Sequence, residues 1–194
     1  CSAYKFFGPH VGMLYGKRQR LESIQPYKLR PSPSDLPGKW MTGTQNHECI
    51  AGVLAAIDYL ADVGRSATEQ PSFDRRQALA AAYQSIRVYE KSLLEQLLSG
   101  LSKIDGIKTW GITDPQRLDE RFPTVSITHE RMDAKTLAKR LADDGIFVWH
   151  GNFYALPLTE RLGVEPDGMV RIGLVHYNTP AEVDRLLSCL SRNE

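Results

Sequence analysis

The chain has 194 residues, 42% of them hydrophobic and 24% charged. That mixture excludes a disordered, collagen-like or coiled-coil protein and suits one large domain or one and a half small ones. Lys and Arg total 24 against 23 Asp and Glu, a net charge of +1, so no cationic excess faces a phosphate backbone and nucleic acid is not expected as the main partner.

The chain opens Cys1-Ser2-Ala3-Tyr4-Lys5, without an initiator methionine or a signal-peptide pattern, as though cut from something longer. After a turn at Gly8-Pro9, the apolar run Val11 to Tyr15 reads as a strand. Arg18 to Ile24 can form a short helix that Pro26 stops. From Pro26 to Gly38, with Pro31, Pro33 and Pro37 between, an extended loop is predicted, of a length that is usually functional or interfacial. Ile50, Val53, Leu54, Ile57, Leu60 and Ala61 recur at helical spacing, and Gly64 is expected to end that helix. A long helix follows from about Phe73 to Ser102, with Leu79, Tyr83, Ile86, Leu93, Leu94, Leu97, Leu98 and Leu101 on one stripe. The longest apolar stretch, Ile50 to Leu60, is broken by Gly52 and Asp58 and falls short of the ~20 residues of a membrane span, so no membrane partner is expected.

Beyond this point the rhythm changes. Ile107 to Ile112, Thr124 to Thr128, Ile146 to Trp149 and Met169 to Val175 are short, β-branched and alternating, as strands are. Between them lie a helix from Asp133 to Asp144, a short one from Leu158 to Leu162, and a last one from Pro180 to Ser191 with Thr179 as its N-cap. The order predicts an α+β fold, an antiparallel sheet with helices packed on one face.

Four places can carry chemistry. Lys5 stands among Tyr4, Phe6 and Phe7; packed rings would strip water from its ammonium and favour the nucleophilic amine, whereas a solvated lysine is the simpler reading of the local spacing alone. In Gly43-Thr44-Gln45-Asn46-His47-Glu48, at a helix start, N–H groups and a hydroxyl suit a phosphate. Equally, Thr44 or Asn46 caps the helix, and Glu48 favours its dipole while repelling a phosphate. Arg171, inside the apolar strand Met169 to Leu174, needs an anion, either a protein carboxylate or a ligand's. The run Trp149-His150-Gly151-Asn152-Phe153-Tyr154 suits a pocket wall or a surface turn. His10, His47, His129 and His176 lack metal-ligand spacing, and no metal site is expected. Cys1, Cys49 and Cys189 are odd in number, far apart and without CxxC, which fits a reducing, cytoplasmic setting.

Taken in order, Ser2-Ala3-Tyr4-Lys5-Phe6-Phe7-Gly8-Pro9, Thr42-Gly43-Thr44-Gln45-Asn46-His47-Glu48, Met169-Val170-Arg171-Ile172-Gly173-Leu174 and Tyr177-Asn178-Thr179 resemble the C-terminal part of a class V aminotransferase-like, pyridoxal-phosphate-dependent enzyme of fold type I. The cysteine-desulfurase-like subfamily is the nearest likeness. The resemblance implies that Lys5 forms the internal aldimine with pyridoxal 5'-phosphate and shuttles the α-proton of an amino-acid substrate. It implies that Thr44 reaches the cofactor phosphate of the neighbouring subunit in a homodimer, and that Arg171 holds the substrate carboxylate. Asn152 joins it as a substrate-binding candidate. It also divides the chain into residues 1–46, the tail of the large cofactor domain; 47–102, connecting long helices; and 103–194, a small C-terminal α+β domain.

The departures are equally specific. Desulfurases of this pattern carry a nucleophilic cysteine in the loop where Tyr154 stands here, and a second substrate-binding arginine is common where Trp149 stands. Attack by a cysteine of this chain is therefore not expected; transamination, elimination and desulfuration share the internal aldimine that the resemblance implies, and the sequence does not rank them. In the family, the ring-stacking residue, the aspartate facing the pyridine nitrogen and most phosphate ligands precede the lysine, so the chain alone is expected to be inactive. The alternative is a non-catalytic binding or dimerisation module that keeps the fold.

Overall fold

A computed structural model describes residues 1–41 and 43–192; Thr42, the first residue of the second motif, lies outside the described residues. The chain divides into two compact units, Cys1–Tyr83 and the remainder from Gln84 onward. The boundary falls within one long helix.

In the first unit, α1 (Arg18–Ser23) is followed by the proline-rich loop and then by α2 (His47–Thr68). The loop is tied back onto α1, where buried Lys39 donates from Nζ to the Glu22 carbonyl (2.7 Å) and the Trp40 indole donates to the Leu21 carbonyl (3.1 Å). The strand expected at Val11 to Tyr15 does not form. Only the bridge Ser2↔Gly12 is made, because residues 1–3 turn at once into a 3-10 helix (Ala3–Phe6) and offer no further ladder.

Gly64 does not end α2, which runs on to Thr68. Gly64 is buried, and a Cβ built on it would lie 1.9 Å from the carbonyl oxygen of Ala78 in α3 (Arg75–Leu101). The glycine is there to let two helix backbones approach, and Ala78 and Ala82 complete the small-residue contact. Tyr83, expected on the core stripe of α3, is 54% exposed, since a ring has no room in so close a crossing. Ile50 and Leu54 of α2 are likewise exposed; at this end α2 meets the chain through Gly52, whose Cβ position lies 3.0 Å from Pro9.

The second unit is α+β, as the strand and helix order predicts. Strands β1 (Ile107–Trp110), β2 (Thr124–His129), β3 (Trp149–Gly151) and β4 (Met169–Gly173) form one antiparallel sheet in the order β1-β2-β4-β3. The register pairs Val125 with Ile172 and Ile127 with Val170. These four residues share one face and are buried against α3, α4 (Ala134–Asp143) and α6 (Pro180–Leu190), through Leu94, Leu97, Leu101, Leu137, Leu141, Val183 and Leu186. Val125, Ile127 and Val170 are fully buried, and each contributes about 1.5–3 kcal/mol by leaving water. Asp133 caps α4, and Thr179 with Glu182 forms a capping box on α6.

Strand β3 begins three residues later than Ile146. The Ile146 N–H is taken by the Leu141 carbonyl at the exit of α4 (2.8 Å), so the chain leaves the helix with Ile146 and Val148 packed against the core and Phe147 exposed before pairing starts. The short helix α5 (Leu156–Leu162) starts two residues early, with Ala155 as its N-cap.

Gly64→Ala should lower stability by about 1–3 kcal/mol, the usual result of overpacking. Urea unfolding checks this, and an unchanged midpoint would contradict the close crossing of α2 and α3.

Candidate functional site

The candidate residues fall in both units, and each set has its own setting. Lys5 lies in the 3-10 turn, whose backbone is clasped on both sides. Ala3 N–H bonds the Val11 carbonyl (2.9 Å), Met13 N–H bonds that of Cys1 (2.8 Å), and Gly8 N–H closes the turn on Ala3 (2.9 Å). Phe7 takes a left-handed conformation (φ 69°) to make that closure. Of the two local readings of Lys5, packed rings and a solvated side chain, the structure has the second. Lys5 is exposed, Tyr4 and Phe7 are 52% and 42% exposed, and the ammonium lies 5.9 Å from the Tyr4 ring centroid. A four-residue turn cannot fold three rings over its own side chain. What it does provide is a primary amine with no carboxylate partner among the described residues, on a backbone that is held at both ends.

The second motif leaves two residues as possible caps of α2, and the structure chooses between them. Asn46 is the cap, its side chain accepting from the Cys49 N–H at 3.0 Å, with Glu48 in the first turn. Thr44 is exposed, follows Gly43 at φ 64°, and takes no part in the cap.

In the second unit, Arg171 is the residue of β4 that points away from the helices. Its register partners are Ser126 on β2 and Trp149 on β3, and Ser126 in turn pairs with Trp110 on β1. Side chains alternate across a sheet, so Trp110, Ser126, Arg171 and Trp149 form one transverse row on the open face. The row is partly fixed: Trp110 donates to the Thr128 hydroxyl (3.0 Å), and Lys108 sits 3.8 Å over the Trp110 ring.

Arg171 is therefore not buried in an apolar strand, and no protein carboxylate pairs with it among the described residues. Its guanidinium carbon instead lies 4.5 Å from the centroid of the Phe153 ring. Period-two alternation explains the exposure, because Val170 and Ile172 take the core positions and Arg171 must take the other face.

Asn152 sits in the loop between β3 and α5. Its side-chain oxygen accepts from the Tyr154 N–H (3.2 Å) and its carbonyl from the Ala155 N–H (2.8 Å), so it shapes the loop. Phe153 and Tyr154 then adopt φ values of 55° and 61°. Left-handed backbone costs a non-glycine residue about 1–2 kcal/mol. Of the four non-glycine residues with positive φ among those described, Glu69 is an ordinary C-cap of α2. Phe7 caps the 3-10 turn that carries Lys5, and Phe153 and Tyr154 follow Asn152 directly; local strain of this kind concentrates at functional sites. No glycine marks Phe153 or Tyr154, so the sequence carries no signal for this loop shape or for the ring under Arg171.

The last motif is a corner of the fold. Asn178 accepts from the Val175 N–H (2.9 Å), and its carbonyl accepts from the Tyr89 hydroxyl (2.7 Å). Burial pushes the neighbouring His176 imidazole below its ordinary range and the Glu90 carboxyl above its own, the latter offset in part by the backbone N–H of His176.

The aminotransferase class-V family model matches residues 1–186, which takes in all of these motifs. The chain belongs to the aminotransferase class-V family. It is 28% identical to the probable cysteine desulfurase 2 of Mycobacterium leprae, over 98% of this chain and 43% of that protein. A cysteine desulfurase of Pectobacterium atrosepticum is also 28% identical, over 98% of this chain and 44% of its own length. The crystal structure of the cysteine desulfurase CsdA from Escherichia coli, in an S-sulfonic acid form, superposes with a TM-score of 0.72 at 25% identity, covering 97% of this chain and 44% of that one. The apo cysteine desulfurase of Thermococcus onnurineus, 23% identical, shares the fold over 80% of this chain and 33% of its own, with a TM-score of 0.63. The chain thus spans less than half the length of the curated relatives it matches. No described helix is long and apolar enough to cross a membrane.

The two residues at the start of α2 should separate cleanly. Asn46→Ala should cost about 1 kcal/mol of stability as the cap is lost, while Thr44→Ala leaves thermal unfolding unchanged. A Thr44→Ala variant destabilised as much as Asn46→Ala would make Thr44 part of the cap.

Proposed function

We propose that this class-V chain is the C-terminal portion of a pyridoxal-phosphate-dependent enzyme that acts on an amino acid as a cytoplasmic homodimer. The observation that carries the amino-acid part is Arg171. It is a guanidinium on an open sheet face, with a ring against it and no carboxylate partner among the described residues. Such a group accepts a carboxylate through two parallel N–H···O bonds, and every amino acid brings one. A two-point grip also fixes rotation about the substrate's Cα, which aligns one bond for cleavage. With Trp149 where relatives commonly have a second arginine, Arg171 carries that duty nearly alone. Asn152 supports it with an amide nitrogen that makes no hydrogen bond among the described residues.

Pyridoxal phosphate acts as an electron sink when bound, and the residues of the first unit fit it. Lys5 supplies a primary amine with no carboxylate partner among the described residues, on a clasped turn, and would both bear the cofactor and move the proton at the substrate's Cα. Thr44 supplies an exposed hydroxyl, not used by the helix cap, for the phosphate of the partner subunit's cofactor. In this reading residues 1–46 end the cofactor domain, 47–102 connect, and 103–194 bring the substrate arginine.

Desulfuration is not the chemistry assigned. Cys1, Cys49 and Cys189 are all free thiols outside the Trp149 to Tyr154 loop, and Cys189 is buried. Transamination, elimination or a related reaction fits a loop that presents Tyr154 instead.

Borohydride reduction of the complete, cofactor-loaded protein followed by peptide mapping should place the pyridoxyl group on Lys5. In the same protein, joint replacement of Cys1, Cys49 and Cys189 by Ser should leave turnover intact. Label on another lysine, or a folded triple variant without activity, would contradict the assignment.

A further inference from the structure

We infer that Phe153 is a positioning residue for Arg171, holding the guanidinium so that its N–H edge faces a substrate carboxylate. The inference rests on the reading of Arg171 given above and adds what aims that group.

An arginine side chain on an open sheet face has many rotamers, and an unaimed fork loses much of its advantage over a lysine. Proteins usually fix an arginine with a carboxylate. Here that would consume the N–H donors and the charge that the substrate needs. An aromatic ring avoids the conflict, because it attracts the cation through its face and leaves all five N–H donors of the guanidinium free. The guanidinium carbon of Arg171 lies 4.5 Å from the Phe153 centroid.

The loop is built to hold the ring there. At one end Gly151, in β3 at φ 113°, packs directly on Gly168, where an added Cβ would lie 2.3 Å from the Gly151 carbonyl carbon. At the other end Ala155 caps α5, its carbonyl accepting from the N–H groups of Leu158 (2.9 Å) and Thr159 (3.1 Å). Between these anchors Asn152 bonds to the next two residues but one, and Phe153 takes a left-handed conformation. A glycine would adopt that conformation without strain. It would also carry no ring, and the ring is what reaches Arg171.

The test uses the complete pyridoxal-phosphate-loaded protein with two probes, L-alanine and ethylamine, which differ by the carboxylate. Their apparent dissociation constants are read from the cofactor's visible absorption, and the Arg171 Nε–Hε resonance is followed by NMR. Phe153→Gly keeps the backbone conformation free of strain, so it should fold even if Phe153→Leu does not. Both variants should weaken L-alanine about two- to five-fold, the range of an exposed cation–π contact, and leave ethylamine unchanged. The ring-current shift of Arg171 should vanish in both, and Phe153→Tyr should restore shift and affinity together. If Arg171→Lys weakens L-alanine while Phe153→Gly does not, the positioning role falls and the carboxylate reading stands. If Arg171→Lys changes neither probe, or L-alanine binds no better than ethylamine, the carboxylate reading falls and the role of Phe153 with it.

Discussion

A slip of β4 by one residue against β2 would turn Val170 and Ile172 out to solvent and drive Arg171 into the leucines of α3, α4 and α6. Register in a half-buried sheet is held by that penalty, since every side chain changes face together. The pairs Val125↔Ile172 and Ile127↔Val170 therefore do two things at once. They close the core, and they leave Arg171 pointing outward in a row with Trp149, Ser126 and Trp110. The cation is available because apolar residues on either side of it have taken the interior.

What surrounds that row follows from the same placement. Strand β3 joins β4 only from Trp149 onward, so Gly151 meets Gly168 at the sheet edge and the following loop must turn sharply into α5. That turn sets Phe153 and Tyr154 in left-handed backbone, and the Phe153 ring comes to rest against the guanidinium. In the first unit a comparable device holds Lys5, where a short clasp and a left-handed Phe7 fix the turn. Both local strains, of order 1–2 kcal/mol each, sit beside groups proposed above to carry chemistry.

Much of this is legible in the sequence. Apolar periodicity gives α3, α4 and α6, and Asp133 and Thr179 mark two helix starts by their capping chemistry. The order of short alternating segments gives the α+β class. The misreadings have identifiable causes. Gly64 is a stop signal locally and a contact surface in space, and nothing in α2 alone announces that Ala78 will lie against it. Val11 to Tyr15 has strand composition but lacks a partner strand. Arg171 reads as a buried cation in a one-dimensional run and is an exposed one in a two-faced sheet. Within the Trp149 to Tyr154 run nothing singles out Phe153, because its contact with Arg171 depends on its φ and on a strand two elements away.

Arg171, with no carboxylate partner among the described residues, is proposed to receive one from an amino acid. A crystal structure of the complete protein with pyridoxal phosphate and a bound amino-acid inhibitor tests it most directly. The account predicts that the inhibitor's carboxylate lies in the plane of the Arg171 guanidinium, with two N···O distances of about 2.7–2.9 Å and Phe153 still against the other face. A carboxylate held by other residues, with Arg171 turned to solvent, would contradict it.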